Sequence, residues 1–149
     1  MKYVAIVPGE PVPQGRPRFS VRNNHVRAHD PRKNVNYKAY IQLIAAESKP
    51  DAPVVVPVRL GLKIYRSIPK SWSKKRKASA DAGQIRPTTK PDISNVLKGV
   101  EDALNGIWYH DDSQIVEYGE IGKWYSTCPR IEIEMELIED GGSENEKNG

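Results

Sequence analysis

The sequence predicts a single domain of the α+β class, with helices packed on a mixed β-sheet. Several segments alternate apolar and polar residues, which is the period of a half-buried strand, and others repeat apolar residues every three or four positions, which is the period of a helix. With 149 residues the chain is long enough for a core of its own, since a domain of this size buries about 70% of the surface of its unfolded chain.

The first part of the chain predicts a strand, a stiff loop and a helix. Residues 3–7 are β-prone and end at Pro8 and Gly9. The loop that follows is basic, and its prolines and glycine exclude regular structure up to residue 17. Residues 34–48 then repeat apolar side chains at helical spacing.

The middle of the chain predicts a second strand and a short helix. Residues 54–64 alternate with period two, and Pro57 indicates an edge strand or a bulge. Residues 69–73 are expected to cap a short helix that runs through Lys74–Lys77. The four consecutive cations of this helix form either a solvated face or a surface that contacts phosphates.

The clearest helix begins near Asp92 and ends at Asn105 and Gly106. Its apolar residues fall on one face, which predicts the core side, and its polar residues form a ridge on the other. Residues 115–125 and 130–137 predict two more strands, the second with its glutamates facing water. We expect residues 1–138 to form the folded domain and the polar residues 139–149 to be a disordered acidic tail.

The charge is divided along the chain. Residues 1–90 hold 19 Lys and Arg against 5 Asp and Glu, whereas residues 91–149 hold 4 against 14. This division favours a polyanion bound by the first part and cations, including metal ions, bound by the second. The alternative is two solvated faces that neutralise each other.

Several classes of protein are excluded by composition. One cysteine cannot form an internal disulfide, and with three histidines it does not supply a structural zinc site. No segment has the length of apolar sequence that a membrane helix needs, and the N-terminal residues are too soon interrupted for a signal peptide. A cytoplasmic location is therefore the expectation, without a membrane and without a small-molecule cofactor.

Acidic residues bracket the helix that begins near Asp92. Asp111 and Asp112 follow its end, so they meet Asp92 only if the chain folds back, or if the second acid comes from the partner subunit of a dimer. Oxygen ligands without Cys select Mg²⁺ or Mn²⁺. The alternative interpretation is that Asp92 caps the helix and Asp111 and Asp112 form a turn.

Three stretches of the sequence together resemble the RusA family of Holliday-junction resolvases. They are Lys90-Pro-Asp-Ile-Ser-Asn-Val-Leu-Lys98, then Asp102-Ala-Leu-Asn-Gly106, then Asp111-Asp-Ser-Gln-Ile115, and the opening around Pro8–Phe19 is also similar. The resemblance implies a homodimeric, Mg²⁺-dependent endonuclease, with Mn²⁺ able to substitute, that cuts opposed strands of a four-way DNA junction. Its members include phage proteins.

The resemblance also implies roles for particular residues. Asp92 and Asp112 match the motif acids and Lys98 matches the motif lysine, so these three are the expected catalytic residues, with Asp92 and Asp112 as metal ligands. Beyond the resemblance, we expect Asp111 to be an additional metal ligand. Ser94 stands where the family usually has a second carboxylate, so metal affinity is expected to fall unless Asp111 or Asp102 replaces it. The alternatives are a nuclease of broader specificity on flaps and branched DNA, and a junction-binding protein with weak or no cleavage.

Basic residues are predicted to contact DNA phosphates, with the solvated surface as the alternative. They are Arg16, Arg18, Arg22, Arg27, Lys33, Lys74, Lys75 and Arg76.

Overall fold

The fold is α+β, as predicted: the described part of the chain holds a mixed four-stranded sheet, a two-stranded hairpin and three α-helices. The computed structural model describes residues 1–12, 18–22, 25–29 and 32–139, with side chains described in 1–12 and 36–139. In chain order the elements are β1 (Lys2–Pro8), β2 (Arg18–Arg22), β3 (His25–His29), α1 (Arg32–Glu47), β4 (Val58–Ser67), α2 (Lys74–Asp81), α3 (Ile93–Leu104), a 3₁₀ helix (Asp112–Gln114), β5 (Ile115–Ser126) and β6 (Arg130–Leu137).

The strands of the main sheet lie in the order β1-β6-β4-β5. β6 is antiparallel to both β1 and β4, whereas β4 and β5 are parallel. Parallel neighbours need a crossover connection, and here α2 and α3 supply it. α3 therefore returns along the sheet, and β5 runs back in the direction of the start of α3.

One face of the sheet is buried against the helices. Alternate residues of the strands point to this face because successive side chains of a strand point to opposite sides. The core joins them to the apolar faces of α1 and α3, and its largest fully buried side chains include Trp108, Tyr109, Ile41, Leu60, Leu62, Ile64, Leu104, Ile131, Ile133 and Met135.

The opposite face of the sheet carries paired charges. The glutamates of β6 lie there, as predicted. Two of them bind cations of neighbouring strands, Lys2 with Glu134 at 2.5 Å and Arg59 with Glu136 at 3.4 Å, and Glu132 binds Arg130 of the same strand at 2.7 Å. Such pairs contribute little to stability when exposed, but they neutralise the charge of this face.

The strand predicted over residues 54–64 begins four residues later and ends at Ser67. β4 has neighbours on both sides, and Pro57 lacks the N–H group that a central strand uses. Val54 forms an isolated bridge with Tyr109 instead, so the prediction of strand before Val58 was wrong. The predicted irregularity lies just beyond Pro57, where the pairing with β5 shifts register.

The hairpin of β2 and β3 was not predicted. The two strands pair in antiparallel register from Arg18 opposite His29 to Arg22 opposite His25. Val21 and Val26 lie on either side of two asparagines, a spacing typical of hairpins.

The predicted tail, from residue 140 onward, lies outside the described residues. No helix in the described part of the chain is long and apolar enough to cross a membrane.

Candidate active site

Asp92 stands at the N-cap of α3, but its carboxylate does not cap the helix. Its backbone has the extended conformation of a cap residue, and its side chain makes no capping hydrogen bond. The side chain is exposed. The capping alternative therefore accounts for the backbone of Asp92 and leaves its carboxylate available to a ligand.

The backbone before Asp92 is bound to the sheet by two cationic side chains. The Lys123 ammonium donates to the carbonyl oxygens of Thr89 and Pro91 at 2.9 and 3.1 Å. Arg66 donates through Nη1 to the Thr89 hydroxyl at 2.8 Å. β4 and β5 thus fix the position at which Asp92 enters the helix.

Asp111 forms a cap at the other end of this region. Its carboxylate accepts a hydrogen bond from the Ser113 N–H at 3.0 Å at the start of the 3₁₀ helix. Hydrogen bonds from Ser113 to the charged form lower the pKa of Asp111. The structure therefore agrees with the turn interpretation for Asp111, whose predicted role as a metal ligand stays a prediction.

Gln114, the last polar residue of the second motif, holds this turn in place. Its side-chain oxygen accepts from the N–H groups of His110 and Asp111 at 2.9 and 3.0 Å. Its amide nitrogen donates to the carbonyls of Val54 and Val56 at 2.9 and 3.0 Å. Sequence reasoning did not assign this role, and a glutamine three residues after a cap residue is the signal that indicates it.

Asp112 lies near the second half of α3. Its charge acts on two phenols, Tyr109 and Tyr118, together with that of Glu101. The Tyr118 hydroxyl donates to the Glu101 carboxylate, and this bond, followed by burial, raises the pKa of Tyr118 to about 12. The Tyr109 hydroxyl donates to the Glu101 carbonyl at 2.6 Å, and burial raises its pKa.

Asp92 and Asp112 therefore lie at opposite ends of α3 in one chain. The helix has 12 residues, and at about 1.5 Å per residue it separates its ends by roughly 18 Å. β5 leads away from Asp112, since Lys123 in its second half reaches the carbonyls before Asp92. The chain does not fold back to bring the two acids together.

A single chain thus does not assemble the expected magnesium site. Among the described residues, no three His, Cys, Asp or Glu side chains form a group that could hold a metal ion. The oxygen donors are of the type that Mg²⁺ prefers, but their separation does not fit one ion. Lys98 and Ser94 are exposed on α3 between the two acids.

The predicted DNA-contacting residues of α2 are exposed. Ser73 begins this helix, with its hydroxyl accepting from the Arg76 N–H at 3.2 Å. The Arg76 guanidinium lies 3.9 Å from the ring centre of Trp72, and Lys74 and Lys75 are exposed beside it. Arg16 lies outside the described residues, as do the side chains of Arg18, Arg22, Arg27 and Lys33.

Two aromatic rings and two arginine side chains stack against one another at the end of the sheet near Asp92. This ladder consists of Arg86, Trp124, Tyr65 and Arg130. Tyr65 stacks on Trp124 with their ring centres 5.7 Å apart. Arg130 covers Tyr65 at 3.9 Å, and Arg86 covers Trp124 at 4.3 Å. Sequence reasoning missed these residues. Tyr65 and Trp124 belong to different segments, and the pairing of β4 with β5 makes them neighbours.

Comparison with known proteins shows the family. Residues 8–136 match the family of endodeoxyribonuclease RusA, a range that holds both acidic motifs and every strand of the main sheet in whole or in part. The chain therefore belongs to the RusA family of endodeoxyribonucleases, as the resemblance predicted.

A relative in Bacillus subtilis (strain 168) is similar over most of its length. It is the uncharacterized protein YqaN, 49% identical over 127 residues, which are 84% of this chain and 89% of YqaN.

Proposed function

We propose that this protein is a Mg²⁺-dependent, structure-specific endonuclease that resolves four-way DNA junctions by paired phosphodiester cleavage in recombination and repair. The observation that carries the proposal is the family match over residues 8–136. The exposed Asp92 carboxylate, without a capping bond, supports it. Carboxylate ligands equally accept Mn²⁺, which is expected to substitute.

The second acid of each site comes from the partner of a homodimer. One chain holds Asp92 and Asp112 at opposite ends of α3, and a two-fold axis that sets two α3 helices antiparallel brings Asp92 near Asp112 of the partner subunit. Closed two-fold symmetry then produces two equivalent sites, which suits the cleavage of two opposed strands.

The distribution of charge favours this arrangement. Residues 63–90, which lead to Asp92, hold nine Lys and Arg against one Asp, and residues 99–122 hold six acids and no Lys or Arg. An antiparallel arrangement places the basic segment of one chain beside the acidic segment of the other. Opposite charges across an interface favour that orientation over the parallel one.

The chemistry requires neutralisation of the phosphate charge. A divalent cation, when bound, polarises a phosphodiester bond and stabilises the leaving oxygen. In this chain Asp92 and Asp112 would supply its oxygen ligands. The exposed Lys98 ammonium would supply a positive charge near the phosphate, and Lys74, Lys75 and Arg76 would hold the DNA backbone.

Cleavage of a labelled synthetic four-way junction, beside a linear duplex of matched sequence, tests the proposal. The reactions contain Mg²⁺, Mn²⁺ or EDTA. We expect paired, symmetric nicks at the junction with either metal and none with EDTA or on the duplex. If flaps and other branched DNA are cut as fast as the junction, the protein is instead a nuclease of broader specificity. Tight junction binding without cleavage would favour a junction-binding protein, and Ser94 would be the first residue to test as the reason for the missing cleavage.

A further inference from the structure

Arg86 is an exposed residue whose guanidinium group is held in one orientation. Its Nε donates to the Lys123 carbonyl oxygen at 2.5 Å, and its guanidinium carbon lies 4.3 Å from the centre of the Trp124 ring. An exposed arginine ordinarily samples many rotamers, and fixing a long side chain costs conformational entropy. The contacts to Lys123 and Trp124 offset this cost.

The surroundings of Trp124 are shaped to receive this guanidinium. The same ring stacks on Tyr65. A Cβ atom at Gly122 would lie 2.5 Å from Cη2 of Trp124 and 3.1 Å from Nη2 of Arg86. The ring and the guanidinium thus occupy space that any other residue at position 122 would fill.

Most N–H donors of the Arg86 guanidinium have no hydrogen-bond partner in the described part of the chain. Guanidinium carries five N–H donors, and only the Nε donor has a hydrogen-bond partner among the residues that the structure describes. Arg130, at the other end of the same ladder, differs. It covers Tyr65 at 3.9 Å, but it donates to Glu132 at 2.7 Å, to the Ser126 hydroxyl at 3.2 Å and to the Cys128 carbonyl at 2.8 Å.

Lys123 connects Arg86 to the candidate active site. Its carbonyl accepts from Arg86, and its ammonium donates to the carbonyl of Pro91, the residue before Asp92. Arg86 also belongs to the basic segment 63–90. A guanidinium with free paired donors matches the geometry of phosphate oxygens.

We propose that Arg86 binds a backbone phosphate of the DNA strand that enters the site at Asp92, an inference that rests on the proposed function. Trp124, Gly122 and the Lys123 carbonyl orient the guanidinium before DNA arrives. Arg130 has a similar ring contact, but its Nε and Nη1 donors are occupied and its charge is paired with Glu132, so we expect it not to bind phosphate.

The test is the salt dependence of junction binding by the full chain, measured without a divalent cation so that no cleavage occurs. The matched variants are Arg86→Gln and Arg130→Gln. We expect Arg86→Gln to weaken binding about tenfold at low salt. The slope of log K against log salt should become shallower by about 1, the loss of one phosphate contact.

Two further comparisons separate phosphate binding from packing. Arg130→Gln removes an equivalent ring contact and should lower thermal stability while leaving the slope as in the wild type. Arg86→Lys keeps the positive charge but loses the paired N–H donors of the guanidinium. It should retain the wild-type slope of log K against log salt and bind the junction more weakly. If Arg86→Gln folds and has the wild-type slope and affinity, Arg86 only packs on Trp124 and the inference is overturned.

The outcome for Arg86 is separate from that for cleavage. A wild-type protein that binds junctions but cuts none in Mg²⁺ or Mn²⁺ contradicts the proposed nuclease, and a changed slope in Arg86→Gln would still support the phosphate contact. A wild-type protein that cuts junctions, with an unchanged slope in Arg86→Gln, contradicts the phosphate contact alone.

Discussion

Asp92 lies at the N-terminus of α3, whereas Asp112 lies near the C-terminal half of this helix, beside Tyr109 and Tyr118, and the 12 residues of the helix span roughly 18 Å. The parallel pairing of β4 with β5 maintains this separation, because β5 starts beside Asp112 and leads back to the loop that precedes Asp92. Two carboxylates at that distance do not bind one cation. The proposed function therefore has a second chain supply the other acid of each site.

The first prediction is complementation between two inactive variants. Asp92→Asn and Asp112→Asn should each abolish junction cleavage, because each removes a ligand from both sites of the dimer. When the two are refolded together, the mixed dimer regains one intact site, which pairs Asp92 of one chain with Asp112 of the partner subunit. The measurement is junction cleavage, and we expect nicks in single strands rather than paired nicks.

A mixture that stays inactive, although it contains mixed dimers, would show that both acids act in the same chain. Circular dichroism and junction binding are the controls for the single variants. Asp92→Asn should keep wild-type stability, because the Asp92 side chain makes no capping bond. An unfolded Asp92→Asn variant would instead assign Asp92 a structural role.

The second prediction concerns Ser94, which brings no charge to a position where the resemblance to the family implies a carboxylate. Ser94→Asp should raise the rate of junction cleavage or lower the Mg²⁺ concentration that gives half the maximal rate, because a second carboxylate strengthens cation binding. The measurement is cleavage over a Mg²⁺ titration, with Ser94→Asn as the uncharged control. Identical titration curves for Ser94→Asp and the wild type would show that another group already performs this role.

The third prediction is a pH-dependent contribution of Asp111 to stability. Its pKa is lowered in the folded protein by hydrogen bonds from Ser113, so its stabilising effect is complete above the ordinary value of about 3.9 and is lost as the pH falls through the folded value. Asp111→Asn keeps a neutral cap acceptor. The difference in free energy of unfolding between the wild type and Asp111→Asn, measured with urea, should be constant near pH 7 and diminish below pH of about 4.

A difference that does not change with pH would contradict the capping role of the charged form. Asp81, an exposed carboxylate at the end of α2, offers the comparison, since Asp81→Asn removes an acid without removing this cap.

The fourth prediction concerns Gly122. Gly122→Ala places a Cβ atom 2.5 Å from Cη2 of Trp124, which displaces the ring from both Tyr65 and Arg86. Overpacking of this kind destabilises by about 1–3 kcal/mol. The measurements are urea unfolding and tryptophan fluorescence, which should shift as the ring becomes exposed.

Gly119→Ala is the matched control in the same strand. Its Cβ atom would lie 3.4 Å from Cδ of Arg59, and that side chain is flexible enough to move. We expect Gly119→Ala to be as stable as the wild type or slightly more stable, because alanine restricts the unfolded chain. Equal stability of the Gly122 and Gly119 variants would contradict the steric argument.

Local periodicity predicted the elements that position the site. The core face of α3 follows the three- and four-residue spacing of Val96, Val100 and Ala103, which are buried. The predicted strand at residues 130–137 has the observed bounds, since an uninterrupted alternation leaves one register. The start of β4 after Pro57 and the β2–β3 hairpin were harder to predict from the sequence, because the neighbours of a strand depend on distant parts of the chain.

The sequence by itself determined the fold class and the family, and it predicted the acids of the site, because hydrophobic period and motif spacing are properties of nearby residues. The tertiary structure decided which of those residues meet. Only the direction of β5 separates Asp92 from Asp112. Only the tertiary contacts show that the guanidinium of Arg130 is paired with Glu132, whereas that of Arg86 has a single bonded donor among the described residues. Such differences arise from the pairing of strands distant in the chain, which no local pattern encodes.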